Sequence, residues 1–225
     1  MEKIPPHCAV ELKCVLLLGF STTGKSTILE DFRERHNHAV DTLDSDEEVS
    51  RPEGGHIYNV FLRLRDGSNT ATAIQVIESR ERAFLQIAGP TNKPLLLASG
   101  PFLPIREPEW SGFLARIRPV CFYLQKNPKD VQNDLLRRRA RHLENATLAS
   151  DPGFGCWDQG VTTEYRDGRW VETSPDQALL KVRDNMAGMV TIYERLSHQT
   201  FTWQERQTPE GRERLNAAIR QELGL

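Results

Sequence analysis

The sequence predicts a three-layer α/β domain with a parallel sheet of about five strands, and three observations predict it. Short apolar runs alternate with segments of helical periodicity, the pattern of strands joined by crossover helices. The first apolar run, Val15-Leu16-Leu17-Leu18, ends directly in a glycine-bounded turn. The chain has 225 residues, enough to bury one sizeable core, and the pattern shows no internal repeat.

The elements follow in order. Cys14-Val15-Leu16-Leu17-Leu18 reads as a buried strand closed by Gly19. From Lys25 the period changes: Ile28, Leu29 and Phe32 form one face of a helix ending near Arg35. His38 to Leu43 is a weak second strand. Ile57, Val60, Phe61 and Leu64 have the spacing of a short helix, broken by Asp66-Gly67-Ser68-Asn69. Ile74, Ile77, Phe84, Leu85 and Ala88 line a longer one. Leu95-Leu96-Leu97-Ala98 is a third strand, closed by Ser99-Gly100-Pro101. Val120-Cys121-Phe122-Tyr123-Leu124 is a fourth, and a polar helix from about Pro128 to His142 follows it. Residues 146–174 carry Trp157 and Trp170 but little periodicity, and read as a lid or insert within a single domain spanning 1–225. Leu179, Met186, Met189, Val190 and Tyr193 mark another helix, and Thr200-Phe201-Thr202-Trp203 a fifth strand. Thr208 and Pro209 then open the last helix as its cap and first residue.

Composition narrows the function classes. Lys and Arg total 29 against 31 Asp and Glu, a net charge of -2, so no global basic field exists to hold nucleic acid. The longest apolar run is far too short to span a membrane, and Met1 to Pro6 lacks the regions of a signal peptide. Cys8, Cys14, Cys121 and Cys156 form no CxxC pair, which fits reduced thiols and a cytoplasmic location. The scattered histidines suggest no zinc site, and the oligomeric state is not readable.

The glycine turn carries the strongest signal. Gly19-Phe20-Ser21-Thr22-Thr23-Gly24-Lys25-Ser26 fits G-x-x-x-x-G-K-[ST]. A chance match in a chain of this length is roughly one in a hundred. A preceding strand and a following amphipathic helix are the context that the motif requires. Backbone N–H groups of such a loop point inward at phosphate oxygens, and the helix N-terminus adds its positive end. Gly19, Phe20, Ser21, Thr22, Thr23, Gly24, Lys25, Ser26 and Thr27 are therefore expected to bind the phosphates of ATP, with Lys25 on the β- and γ-phosphates and Ser26 on Mg²⁺. Kinases, hydrolases, switches and motors all use this loop, so it leaves the reaction open.

The reaction is suggested by Asp44-Ser45-Asp46, about 18 residues after the loop lysine and at the end of the second strand. The carboxyl ends of neighbouring parallel strands open onto one crevice. Two carboxylates there can divide labour, Asp44 holding Mg²⁺ and Asp46 orienting or deprotonating an acceptor hydroxyl. The competing reading is a solvated acidic turn continued by Glu47 and Glu48.

At this point the chain resembles the shikimate kinase family. The loop followed by Asp-x-Asp is the first match. Gly54-Gly55-His56-Ile57-Tyr58-Asn59-Val60-Phe61, Glu81 with Leu85, and Ile192-Tyr193-Glu194-Arg195-Leu196-Ser197 resemble further family segments in the same order, and Leu97-Ala98-Ser99-Gly100-Pro101 sits where the family has its triple-glycine turn, here reduced to a single glycine. The resemblance implies a nucleoside-monophosphate-kinase type of fold and transfer of the γ-phosphoryl group of ATP to a small-molecule hydroxyl. It makes Lys25 and Asp46 catalytic, and Asp46, Glu78 and Gly100 substrate residues. It also brings Arg138, within Arg137-Arg138-Arg139, to the nucleotide or the lid, with Arg141, Arg166 and Arg169 as other lid candidates. The family clasps a substrate carboxylate with two arginines, whose places fall on Glu78 and Val190 here, so shikimate itself is not the expected acceptor. A nucleotide or nucleoside kinase, and an ATP-binding kinase relic acting through a partner, are the alternatives.

Overall fold

The structure is a computed structural model, and it describes residues 13–54, 70–144, 163–166 and 169–225. In chain order its elements are β1 (Cys14–Leu18), α1 (Lys25–His36), β2 (Asp41–Asp44), α2 (Ser45–Ser50), α3 (Thr70–Ile87), β3 (Leu95–Ala98), α4 (Glu109–Ile117), β4 (Val120–Gln125), α5 (Pro128–Glu144), β5 (Thr163–Arg166), β6 (Arg169–Glu172), α6 (Pro175–Leu196), β7 (Gln199–Thr202), α7 (Trp203–Arg206) and α8 (Pro209–Leu223).

Five strands form one parallel sheet in the order β2-β3-β1-β4-β7. Its two faces follow from the alternation of side chains along each strand. Cys14, Leu16 and Leu18 of β1 join Leu95, Leu97, Cys121 and Tyr123 on one face, beneath α3, α4, α5 and α6. Val15 and Leu17 join Leu96, Ala98, Phe122 and Leu124 on the other, against α1 and α8. Strands buried on both sides must be apolar at every position, which is why β1 and β3 read as unbroken runs. β2 is an edge strand whose four residues are only half-buried, and its sequence signal is correspondingly weak.

The three-layer α/β architecture thus stands as expected, and the differences are local. The second strand begins at Asp41, not His38, because the N–H groups of Ala39 and Val40 still bond to the His36 carbonyl as the helix ends. Asp44 does not lead into a simple turn; it caps α2, accepting the Asp46 N–H on Oδ1 at 3.0 Å. α4 was not foreseen, although Trp110, Phe113, Leu114 and Ile117 have helical spacing. β5 and β6 pair as an antiparallel hairpin within the segment read as a lid. The helix expected at 57–64 lies outside the described residues. No described helix is long and apolar enough to cross a membrane.

Register positions the site. Leu17 pairs with Ala98 on one side and Phe122 on the other, and Ala98 pairs with Asp44. The carboxyl ends of β2, β3, β1 and β4 therefore lie level. The connections leaving β1 and β3 pass to opposite faces, through α1 and α4, and such a divergence opens a crevice above the strand ends.

Candidate active site

The phosphate loop occupies the mouth of that crevice, running from β1 into α1. Gly24 precedes the helix at φ 88, a left-handed conformation that costs glycine little. Thr22 takes the same region at φ 66 without that freedom, so its neighbours must hold it there. Lys25 is buried and its Nζ reaches back over the loop, donating to the carbonyls of Gly19 at 2.6 Å and Phe20 at 2.9 Å. The Thr23 hydroxyl donates to the Phe20 carbonyl at 2.8 Å.

Ser26, in the first turn of α1, donates its hydroxyl hydrogen bond to Asp44 Oδ2 at 2.6 Å. A serine hydroxyl and a carboxylate side by side at the phosphate loop are hard oxygen ligands. That donor set suits Mg²⁺, which binds through one or two protein oxygens and keeps phosphate and water for the rest. Among the described residues no cluster of three or more His, Cys, Asp or Glu stands ready to hold a metal by itself.

Asp46 lies on the neighbouring side, against the turn after β3. The Gly100 N–H donates to Ser45 Oγ at 2.6 Å, and a Cβ at Gly100 would collide with Asp46 Oδ1. Residue 100 must be glycine for the Asp46 carboxylate to sit where it does. Pro101, next along the turn, accepts the Tyr193 hydroxyl hydrogen bond at 2.5 Å. Burial pushes the Tyr193 phenol far above its usual range, with Tyr123 and the Asp46 charge adding to the shift. The rings of Phe20, Phe102, Tyr123 and Tyr193 pack edge-on or tilted at 5.3 to 6.3 Å and form an aromatic floor under the turn.

No protein-family model matches the chain, and no curated protein matches it. Solved structures do. A shikimate kinase from Acinetobacter baumannii, in complex with shikimate, aligns over 95% of this chain and 94% of its own with a TM-score of 0.57 at 20% identity. A shikimate kinase from Bacteroides thetaiotaomicron aligns over 95% and 99% with a TM-score of 0.54 at 14% identity. This chain has the shikimate kinase-like P-loop fold. At such identities the likeness concerns the fold.

Within that shikimate kinase-like frame, the two departures read from the sequence take definite surroundings. Glu78, on α3, stands 3.3 Å from Arg106 Nη1 and 3.9 Å from Arg82. Arg106 Nε also donates to Glu81 at 2.5 Å, and its side chain is only 12% exposed. The carboxylate at Glu78 therefore meets a guanidinium from the loop after β3, so the charge reversal read there is locally balanced. Burial pushes the Glu81 carboxyl up, and Arg106 opposes that shift. Arg106 had no sequence signal, being one arginine in a Pro-rich turn. Val190 packs half-buried on the core. It also lines a cleft of about 460 Å³ with Tyr123, Lys126, Arg183, Met186 and Gln204.

Arg138 falls within α5, Arg166 ends β5 and Arg169 begins β6, but their side chains lie outside the described residues, as does that of Arg141. Two other cations reach the loop that sequence reasoning passed over. Lys126 follows β4 and donates to the Thr22 carbonyl at 3.0 Å. Arg206 ends α7 and donates to the Thr23 carbonyl at 2.6 Å. Their only sequence signal is position: each closely follows a strand whose end faces the crevice.

Proposed function

We propose that the protein is an ATP-dependent kinase that transfers the γ-phosphoryl group to a hydroxyl of a small molecule. The observation that carries this reading is the placement of two carboxylates around the phosphate loop: Asp44 bonded to Ser26, and Asp46 pressed against Gly100. A hydrolase or switch needs the first arrangement; the second supplies an acceptor side.

The residues divide the work. Loop amides from Gly19 to Thr27 cradle the phosphates, and Lys25 exchanges the Gly19 and Phe20 carbonyls for β- and γ-phosphate oxygens. Ser26 and Asp44 would hold Mg²⁺, which supplies charge neutralisation on the phosphates when bound. Asp46 accepts a hydrogen bond from the acceptor hydroxyl and takes its proton as the oxygen bonds to phosphorus. The bond from the γ-phosphorus to its bridging oxygen breaks, leaving ADP. Positioning and electrostatics dominate phosphoryl transfer, so a pre-set pair of carboxylates is sufficient equipment.

The acceptor is expected not to be shikimate. Neither Glu78 nor Val190 provides the cation that a carboxylate of the substrate needs, and Arg106 is already engaged by two glutamates. ADP release from ATP, measured across a panel of hydroxylated metabolites, tests the proposal. One acceptor should stimulate release, Lys25→Ala should abolish that stimulation, and shikimate should fail at any concentration. Wild-type turnover in the Lys25→Ala variant would refute the kinase reading. Saturable phosphorylation of shikimate would refute the substrate argument alone.

A further inference from the structure

We propose that Lys126 and Arg206 act together as positioning residues of the phosphate loop, holding two successive carbonyls outward so that the adjoining amides face the nucleotide phosphates. This rests on the nucleotide-binding reading above and assigns to it two residues outside the loop motif.

A peptide unit is planar and trans, so its C=O and the following N–H point in opposite directions. Lys126 Nζ fixes the carbonyl of Thr22, which aims the Thr23 N–H the other way. Arg206 Nη1 fixes the carbonyl of Thr23, which does the same for the Gly24 N–H. Lys25 and the Thr23 hydroxyl already engage Gly19 and Phe20. The clamp takes two carbonyls further along the loop, those of Thr22 and Thr23, the first of them left-handed at φ 66.

The anchorage explains why the hold is stiff. Lys126 has a fully buried side chain, pairs with Asp134, and lies 3.8 Å from the centre of the Trp203 ring. Arg206 is 6% exposed and 5.4 Å from the same ring. Its guanidinium also donates to the carbonyls of Phe201 and Gln125, both at 3.3 Å. It thus ties the ends of β7 and β4 to the loop. Burial pulls both cations toward their neutral forms, Arg206 down to about 10, so keeping them charged has a cost that these partners offset. A mere staple for the sheet edge needs no bond to the loop; these two cations each make one, to adjacent residues.

The test compares Lys126→Met and Arg206→Met with wild type in binding Mg-ATP and Mg-tripolyphosphate by calorimetry, with circular dichroism as the control for folding. Tripolyphosphate reports the loop without the base. Each variant should stay folded and lose roughly tenfold or more in affinity for both probes, as misdirected hydrogen bonds to a charged group would produce. The double variant should lose less than the product of the two, because the peptide groups adjoin. Should the methionine variants fail to fold, Arg206→Lys and Asp134→Asn decide the matter. The first keeps the charge but not the three-way reach, the second loosens Lys126 from the half-exposed surface of α5, and each should cost at least about threefold for both probes. Folded variants that bind both probes as wild type does would overturn the clamp and leave the kinase reading standing. A wild-type protein that binds neither probe would overturn the kinase reading and the clamp with it.

Discussion

Asp44 does two things with one carboxylate, and the two can be separated. Oδ2 receives the Ser26 hydroxyl and Oδ1 caps α2. Asparagine caps helices as well as aspartate, whereas alanine forfeits about 1 kcal/mol. Asp44→Asn should therefore melt like wild type yet need more Mg²⁺ for nucleotide binding; an unchanged Mg²⁺ titration would reduce Asp44 to a cap. Asp46→Asn should bind ATP normally and turn over about 10²-fold more slowly, as loss of a positioned base does. Gly100→Ala should give the same signature by a steric route, since its new methyl group meets Asp46 Oδ1. If Gly100→Ala keeps full turnover, the close contact between that turn and Asp46 has no part in the chemistry. The candidate site residues on this side were legible because they are contiguous, Asp44-Ser45-Asp46 and Ser99-Gly100-Pro101. Arg106 was not, because Glu78 and Glu81 reach it only through the packing of α3 on the loop after β3.

At the scale of elements, helix ends set where the site residues stand. α6 begins with a capping box in which Ser174 and Gln177 each bond the other's backbone N–H. That box fixes the start of the helix that carries Val190 and Tyr193. Ser174→Ala should cost about 1 kcal/mol. In a domain of this size, that lowers Tm by roughly 2–4 °C. Differential scanning calorimetry measures it, and an unshifted transition would show the box to be redundant. Gly211, in the first turn of α8, lies so close to Glu205 that a Cβ would collide with its carbonyl. Gly211→Ala should accordingly shift Tm further than Ser174→Ala does, because backbone, not a side chain, has to give way. α2 escaped the sequence reading for a physical reason: Ser45-Asp46-Glu47-Glu48-Val49-Ser50 has a single apolar residue and hence no periodicity. α4 had the spacing but sits between prolines that punctuate as a loop does.

The whole molecule stores its titratable groups unevenly. Burial pushes the thiols of Cys14 and Cys121 and the phenol of Tyr123 up to about 12; Cys121 adds to the shift at Cys14, and Glu194 to that at Tyr123. In the unfolded chain the thiols titrate near 9.0 and the phenol near 10.0. Between about pH 9 and 12 the native state holds protons that the unfolded state releases, so this contribution to stability is complete below pH 9 and is lost as pH rises toward 12. The Tyr193 phenol, pushed up from 10.0, adds to this trend, and Lys126 and Arg206, both pulled down by burial, oppose it, two groups against four. Tm should fall between pH 9 and 11. At pH 8, iodoacetamide should leave Cys14 and Cys121 unmodified in the native protein and alkylate them in denaturant. Alkylation of either in the folded state would contradict the burial that sets these values.

The amino-acid sequence by itself determined what is local. An apolar run buried on both faces dictates a central strand, and Gly24-Lys25-Ser26 at its outlet dictates a phosphate loop, since strand, turn and helix start are neighbours in the chain. Strand count and layer order followed from alternation. Only the tertiary structure decided what reaches that loop from elsewhere. Thr22 meets Lys126 across 104 residues, and Thr23 meets Arg206 across 183. Those contacts exist because β1 sits beside β4 and β4 beside β7, which brings the ends of distant strands level with the loop. Periodicity specifies which face a side chain takes on its own element. It carries no information about which other element lies opposite, and that neighbour sets the charge balance at Glu78 and the anchorage of the loop.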